Sequence, residues 1–371
     1  GSVECSNFSE LKSSRMEVIQ TKLHELNHFY EWAFSVADER VSDWPLMWGY
    51  SPTLAITALY LLAVNTLPKF MENRPAFNLK YTLVIYNFIC VLINFHICSE
   101  LLISSTMLGY SYSCQPVSYT YDPYEIRIAK ALWWFYFSKC VEMLDTIFFI
   151  LRKKNNQVSF LHVYHHATMF PIWYIGVKWV AGGQSFFGAM INSFIHVIMY
   201  TYYGVAALGP EFQKYLWWKR YLTRLQLLQF FVGLLYASQS IYQECDYPLW
   251  MEWAGIIYGI SIVALFINFY VQAYIKPSSS SRQEMKSLPK KIQFVTGIAH
   301  ASQSLILKGC GFPEWMHWAL IFYAFTILLL FINFYYHAYR SSKRTKSTES
   351  NGSVANGHAL NGKMTEHAKK N

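Results

Sequence analysis

His162, His165 and His166 fall at i, i+3 and i+4 within the apolar run QVSFLHVYHHATMF (157–170). Imidazole is costly to bury unless it has a partner or a task, and helical spacing puts all three rings on one face. Such a ring titrates near neutrality, so it can act as acid, base or nucleophile, and it also ligates metals. Three other runs carry polar groups at helical steps. KCVEMLDT sets Lys139, Glu142, Asp145 and Thr146 along one face. NSFIHVIMYTYY sets Asn192, His196, Met199 and Tyr203 on one stripe, and TRLQLLQ repeats Thr223, Gln226 and Gln229 every three residues. A lone buried His or Gln is more often a helix-to-helix bond than a functional group, and Lys139, Glu142 and Asp145 read equally well as a structural ion-pair cluster. Four successive runs with inward polar stripes point to one shared site.

Metal binding is the first chemistry to weigh. A His-x-x-His-His box is of the kind that membrane iron-dependent desaturases and hydroxylases use, but those enzymes draw ligands from several boxes. The chain has 12 histidines, scattered singly outside 162–166. His24 and His28 precede the apolar runs, and His358 and His367 lie near the end. His300, His317 and His337 belong to the repeat described below. His196, with His96 more distant, is what remains to join the cluster. The ligand count argues against iron, and no metal or bound cofactor is expected. No well-placed Cys or G-x-S-x-G motif competes as nucleophile, which leaves imidazole attacking a thioester to form an acyl-imidazole.

The elements that must position these groups are membrane helices. The chain of 371 residues is 53% apolar and 18% aromatic but only 14% charged, against about 25% charged in soluble domains. Runs long enough to cross about 30 Å of hydrocarbon lie near 53–69, 81–104, 128–151, 158–178, 185–207, 220–243 and 252–275, which predicts seven helices. Lys69, Arg74 and Lys80 follow the first run, Arg152, Lys153 and Lys154 the third, and Lys214, Lys219 and Arg220 the fifth. The alternate connections 105–126, 179–184 and 244–251 contain no Lys or Arg. The positive-inside rule then puts the N-terminus in a lumen or outside and the odd-numbered exits in the cytosol. The net charge of +9 is thereby read as loop topology and not as nucleic-acid binding. Residues 1–50 form an N-terminal lumenal segment without a leader-like apolar core, and Asn7-Phe8-Ser9 is a sequon if that end is lumenal. The basic loops, with Trp217-Trp218, offer cations and aromatic platforms suited to a phosphate-rich carrier such as coenzyme A.

QFFVGLLYASQS (229–240) returns as QFVTGIAHASQS (293–304), and CDYPLWMEWAGIIYGISIVALFINFYVQAY (245–274) returns as CGFPEWMHWALIFYAFTILLLFINFYYHAY (310–339). Of the 46 residues from 229 to 274, 24 recur, with one insertion. This is a tandem duplication of the last helical hairpin. The domain plan is therefore a membrane domain at 51–276, a basic cytosolic linker at 277–290, the repeated hairpin at 291–340 and a disordered cytosolic tail at 341–371.

KCVEMLDTIFFILRKK, FLHVYHHATM, NSFIHVIMYTYY and TRLQLLQ, in this order and spacing, resemble the very-long-chain fatty acid elongases (the ELO family) over about 28–275, resuming in the repeated hairpin. The resemblance implies an all-α integral membrane protein of the endoplasmic reticulum. Seven helices are implied, with the second to seventh forming a six-helix barrel around an acyl tunnel. The implied reaction condenses malonyl-CoA with a long-chain acyl-CoA to 3-oxoacyl-CoA, carbon dioxide and CoA. Carried onto this chain, the histidine box falls on His162, His165 and His166 and the fifth-helix histidine on His196. His165 is expected to take the acyl group. His196, positioned by Asn192, would handle protonation and the enolate, with His162 and His166 as orienting or relay partners. Lys139, Glu142, Asp145, Tyr203 and Gln226 would support the site, and Arg152, Lys153, Lys219 and Arg220 would bind the CoA head. The resemblance also implies a lumenal disulfide between Cys114 and Cys245, for which Cys310 in the repeat is a second candidate. Expected partners are the two CoA thioesters, membrane lipid, other elongation-cycle enzymes and a homo-oligomer, with no nucleic acid. The alternatives are an iron-dependent desaturase or hydroxylase, recognised by bound iron, and a multi-span transporter, which would not release CoA.

Overall fold

The computed structural model describes residues 2–275, and among them the regular elements are helices, with no strand. The expectations for 277–290, 291–340 and 341–371, with Cys310 and the histidines beyond 275, lie outside the described residues. The long helices are α1 (Ser2–Ser35), α2 (Ser51–Phe70), α3 (Lys80–Met107), α4 (Pro123–Glu142) and α5 (Leu144–Leu151), followed by α6 (Phe160–Trp179), α7 (Ser185–Leu208), α8 (Lys219–Tyr242) and α9 (Leu249–Tyr270). By length and hydropathy, α2, α3 and the stretch Leu249–Tyr274 suffice to cross a membrane. Of the others, α5 is too short on its own.

Local chemistry sets the boundaries. Asp122 caps α4 by accepting from the Tyr124 and Glu125 amides, with Pro123 at the first helical position, where its missing N–H costs nothing. Ser159 caps α6 by accepting from the His162 amide, so the first histidine of the box is fixed within the first turn. Gly209, at φ +126°, ends α7 ahead of Pro210, a backbone conformation that other residues adopt only with strain.

The third apolar run, expected as one helix over 128–151, is two: α4 and α5 meet at Met143. The Met143 amide turns back to Cys140 O, one residue tighter than an α-helical bond. Beside it the Tyr86 hydroxyl donates to Val141 O at 3.3 Å. A side chain competing for a ladder carbonyl is a recognised cause of such breaks. The break falls between Glu142 and Asp145 and gives each its own direction. In the segment 1–50, α1 covers most of the length. His24 and His28 are exposed on that helix.

α3 packs along α4 and α7, α4 packs on α6, α6 on α9, α9 on α8 and α8 on α7, while α2 lies against α5 and α6. The main core is aromatic, with Phe135, Tyr136, Phe170, Tyr174 and Phe186 all fully buried. At one end of the helices the approach to α2 is tied down by a buried ion pair. Arg40 Nη2 donates to Asp38 Oδ2 at 2.7 Å, and the same guanidinium reaches Thr120 O and Ala181 O. Cys114 and Cys245 are joined at that end in a disulfide linking the α3–α4 and α8–α9 connections. The opposite end carries the basic loops, where Lys153 Nζ donates to Glu72 O at 3.1 Å and the Phe77 amide bonds Leu151 O.

Candidate active site

α4 and α7 meet across a fully buried charge cluster. Lys139 Nζ donates to Glu142 Oε1 and Oε2 at 3.0 and 3.1 Å and to Asn192 Oδ1 at 3.2 Å, which uses its three donors. The ammonium also lies 4.3 Å from the Phe135 ring centroid, a favourable cation–π geometry. A buried pair of this kind is tolerated because every charge is compensated. His196 Nδ1 lies 3.1 Å from Glu142 Oε1. An ionised carboxylate only accepts, so Nδ1 carries the proton and Nε2 presents a lone pair.

The expectation that Asn192 positions His196 is thus corrected. Asn192 is spent on Lys139, and Glu142 holds the imidazole, because a carboxylate is the stronger acceptor for the ring N–H. Asp145 also departs from the expected three-charge cluster. Beyond the break at Met143 it takes a hydrogen bond from the Tyr200 hydroxyl at 2.8 Å instead of pairing with Lys139.

α6 brings its three histidines to the same place. His162 Nε2 is 2.9 Å from Thr146 Oγ1 on α5. The His166 ring lies 4.5 Å from that of His162 and 5.1 Å from that of His165, both edge-on. His166 Nδ1 is buried without a hydrogen-bond partner among the described residues. Lys139, Glu142, His196 and His162 are all near enough to act electrostatically on His165. His165 nevertheless keeps accessible surface, as does Tyr203, 38% exposed and packed edge-on against Tyr200 and Tyr202. Gln226 Nε2 reaches Met199 Sδ at 3.4 Å, joining the α8 stripe to that of α7.

The remaining candidates lie apart from this cluster. Arg152 ends α5, Lys153 adopts φ +55° in the following turn, and Lys219 and Arg220 open α8. Arg220 Nε approaches the Tyr270 hydroxyl at 3.4 Å, and Arg224, one turn on, donates to it at 3.0 Å. The paired tryptophans divide their roles: Trp217 is 75% exposed, whereas Trp218 packs on Tyr202 and donates to Tyr215 O. His96 faces outward against Trp134 and does not join the histidines. Among the described residues no group of three or more His, Cys, Asp or Glu side chains is arranged to hold a metal ion. Two contributors escaped the sequence reading. Tyr200 shares the α7 face with His196 one turn earlier, so its spacing was a usable signal. Tyr60, on α2, had none.

Apolar helices enclosing a buried histidine and carboxylate site define a multi-pass membrane enzyme. The profile of the ELO (GNS1/SUR4) family matches residues 45–282 and 291–347, and the chain belongs to that family. It is 58% identical to human very long chain fatty acid elongase 4 over 264 residues, 71% of this chain and 84% of the relative. With the mouse elongase 4 the identity is 57% over 267 residues, covering 72% and 86%. With mouse very long chain fatty acid elongase 2 it is 44% over 270 residues, covering 72% and 92%.

Proposed function

We propose that the chain is a very-long-chain 3-oxoacyl-CoA synthase, which condenses malonyl-CoA with a long-chain acyl-CoA in the first step of fatty acid elongation. The observation that carries this reading is the meeting, in an elongase-family chain, of the α6 histidine box with a Glu142-held His196. In the first half-reaction a His165 ring nitrogen attacks the acyl-CoA carbonyl. The C–S bond breaks, the imidazole proton passes to the departing thiolate, and CoA leaves with the acyl group retained on the ring. Malonyl-CoA then loses carbon dioxide. The resulting enolate attacks the acyl carbonyl, giving 3-oxoacyl-CoA, and His165 leaves as imidazole by taking up the one proton that the overall condensation consumes from solvent. His196 Nε2, held toward the site by Glu142, accepts that solvent proton, donates it in a hydrogen bond to the enolate oxygen while the enolate is being oriented, and then passes it to the departing His165 ring. Lys139 keeps Glu142 charged so that it stays an acceptor.

In this reading α2, α3, α4 with α5, α6, α7, α8 and α9 are the seven crossings. The packing order of α3, α4, α6, α9, α8 and α7 supports a closed ring, and the open surface of His165 and Tyr203 supports an acyl tunnel inside it. The first copy of the hairpin supplies α8 and α9, and the domain boundaries are those drawn from the sequence. The basic end, with Arg152, Lys153, Lys219 and Arg220, receives the CoA head from the cytosol. The disulfide end and the N-terminus face the lumen of the endoplasmic reticulum, and the C-terminus is cytosolic. Reductases and a dehydratase would complete the cycle, and self-association is part of the proposal. Radiolabelled malonyl-CoA with a panel of acyl-CoAs should give labelled 3-oxoacyl-CoA and free CoA. Intact mass after acyl-CoA alone should show one acyl adduct on His165; an active enzyme that never carries the adduct removes the covalent route.

A further inference from the structure

The helix that stands outside the ring reaches the histidines through a hydroxyl chain. Tyr60, buried on α2, has its hydroxyl 2.9 Å from Thr146 Oγ1, and Thr146, fully buried on α5, is 2.9 Å from His162 Nε2. Each hydroxyl has one proton to give, so the direction of the chain follows from satisfying both ends. Were His162 to donate from Nε2, Thr146 would donate to Tyr60, whose own O–H would then be buried with no acceptor among the described residues. Running the other way, Tyr60 donates to Thr146 and Thr146 donates to Nε2, and both buried hydroxyl protons are used. His162 is then neutral with its proton on Nδ1. Its ring is packed against His166, which packs in turn on His165.

We propose that Tyr60 and Thr146 are positioning residues that fix the tautomer and ring orientation of His162, so that the outermost helix sets the geometry of the histidine box. This deepens the condensing-enzyme reading and rests on it. Hydroxyl partners behind a working imidazole hold the ring that contacts the reaction, and losing them lowers turnover more than binding.

The test uses the full chain, measuring CoA release and thermal stability together. Tyr60→Phe keeps the ring and removes the proton donor; kcat should fall about tenfold with KM for acyl-CoA near that of the wild type. Thr146→Val should fall at least as far, Thr146→Ser should recover most of the rate, and adding Tyr60→Phe to Thr146→Val should cost nothing more. The control is Thr53→Val, which cuts a different α2 bond, 2.7 Å to the Tyr136 hydroxyl. It should lower thermal stability and leave kcat unchanged. The relay is overturned if Tyr60→Phe keeps wild-type kcat, if Thr146→Ser is as slow as Thr146→Val, or if Thr53→Val slows the reaction as much. Should Tyr60→Phe fail to fold, the Thr146 pair decides alone. A wild-type chain that releases no CoA overturns the condensing reading and the relay with it; an active wild type with indifferent variants overturns only the relay.

Discussion

Glu142 has two tasks at the centre of the site, since it neutralises Lys139 and holds the Nδ1 proton of His196. Glu142→Gln preserves shape, removes the counter-charge and weakens the hold on His196, because a neutral amide is a poorer acceptor than a carboxylate and can turn its NH2 toward the ring. It leaves a buried ammonium without a counter-charge, which costs about 3–5 kcal/mol, and frees His196 to turn over or change tautomer. The expected result is a lower unfolding temperature in detergent together with a fall in kcat of about a hundredfold or more, read from CoA release. Asn192→Ala should be milder in rate, because its bond is to Lys139 and not to the imidazole. If the two variants slow the reaction equally, His196 takes its orientation from elsewhere.

Two elements carry separable consequences. At the start of α8, Lys219 and Arg220 are remote from the histidines and belong to the basic end of the helices. Replacing both by Ala should raise KM for acyl-CoA roughly tenfold with kcat little changed, the pattern of lost uniform binding. The effect should shrink at high salt, since exposed charges are screened. The turn between α6 and α7 is sensitive for a different reason. Gly183 holds φ +54°, and a Cβ there would sit 2.9 Å from Gln115 O and Val117 N, both backbone atoms. Gly183→Ala should therefore lower stability by about 1–3 kcal/mol, visible as a reduced thermal midpoint. Nothing nearby is flexible enough to yield.

Across the whole chain the Cys114–Cys245 disulfide joins connections 131 residues apart, tying α8 and α9 to the earlier helices. Cys245→Ser should lower stability by about 2–5 kcal/mol and abolish the non-reducing shift of the cross-linked peptides. Peptide mapping of the wild type should recover Cys114 linked to Cys245. Recovery of Cys114 linked to Cys310 instead would mean that the second hairpin copy, and not the first, closes the bundle.

The apolar runs beyond residue 50 and the polar stripes were legible from local spacing, and family membership from the resemblance of four motifs. Polar groups recurring every three or four residues in apolar runs can only be partnered inside a bundle, and four motifs in fixed order carry the ELO pattern. Partner choice was not legible, because each bond joins helices far apart in sequence. Only packing decided that Glu142, 54 residues from His196, holds it in place of Asn192 on its own helix. Packing likewise gave Asp145 to Tyr200, broke the third run at Met143 beside Tyr86 and brought Tyr60 across 86 residues to Thr146. Spacing tells which face a residue occupies. The strongest acceptor within reach on that face is a property of the assembled helices.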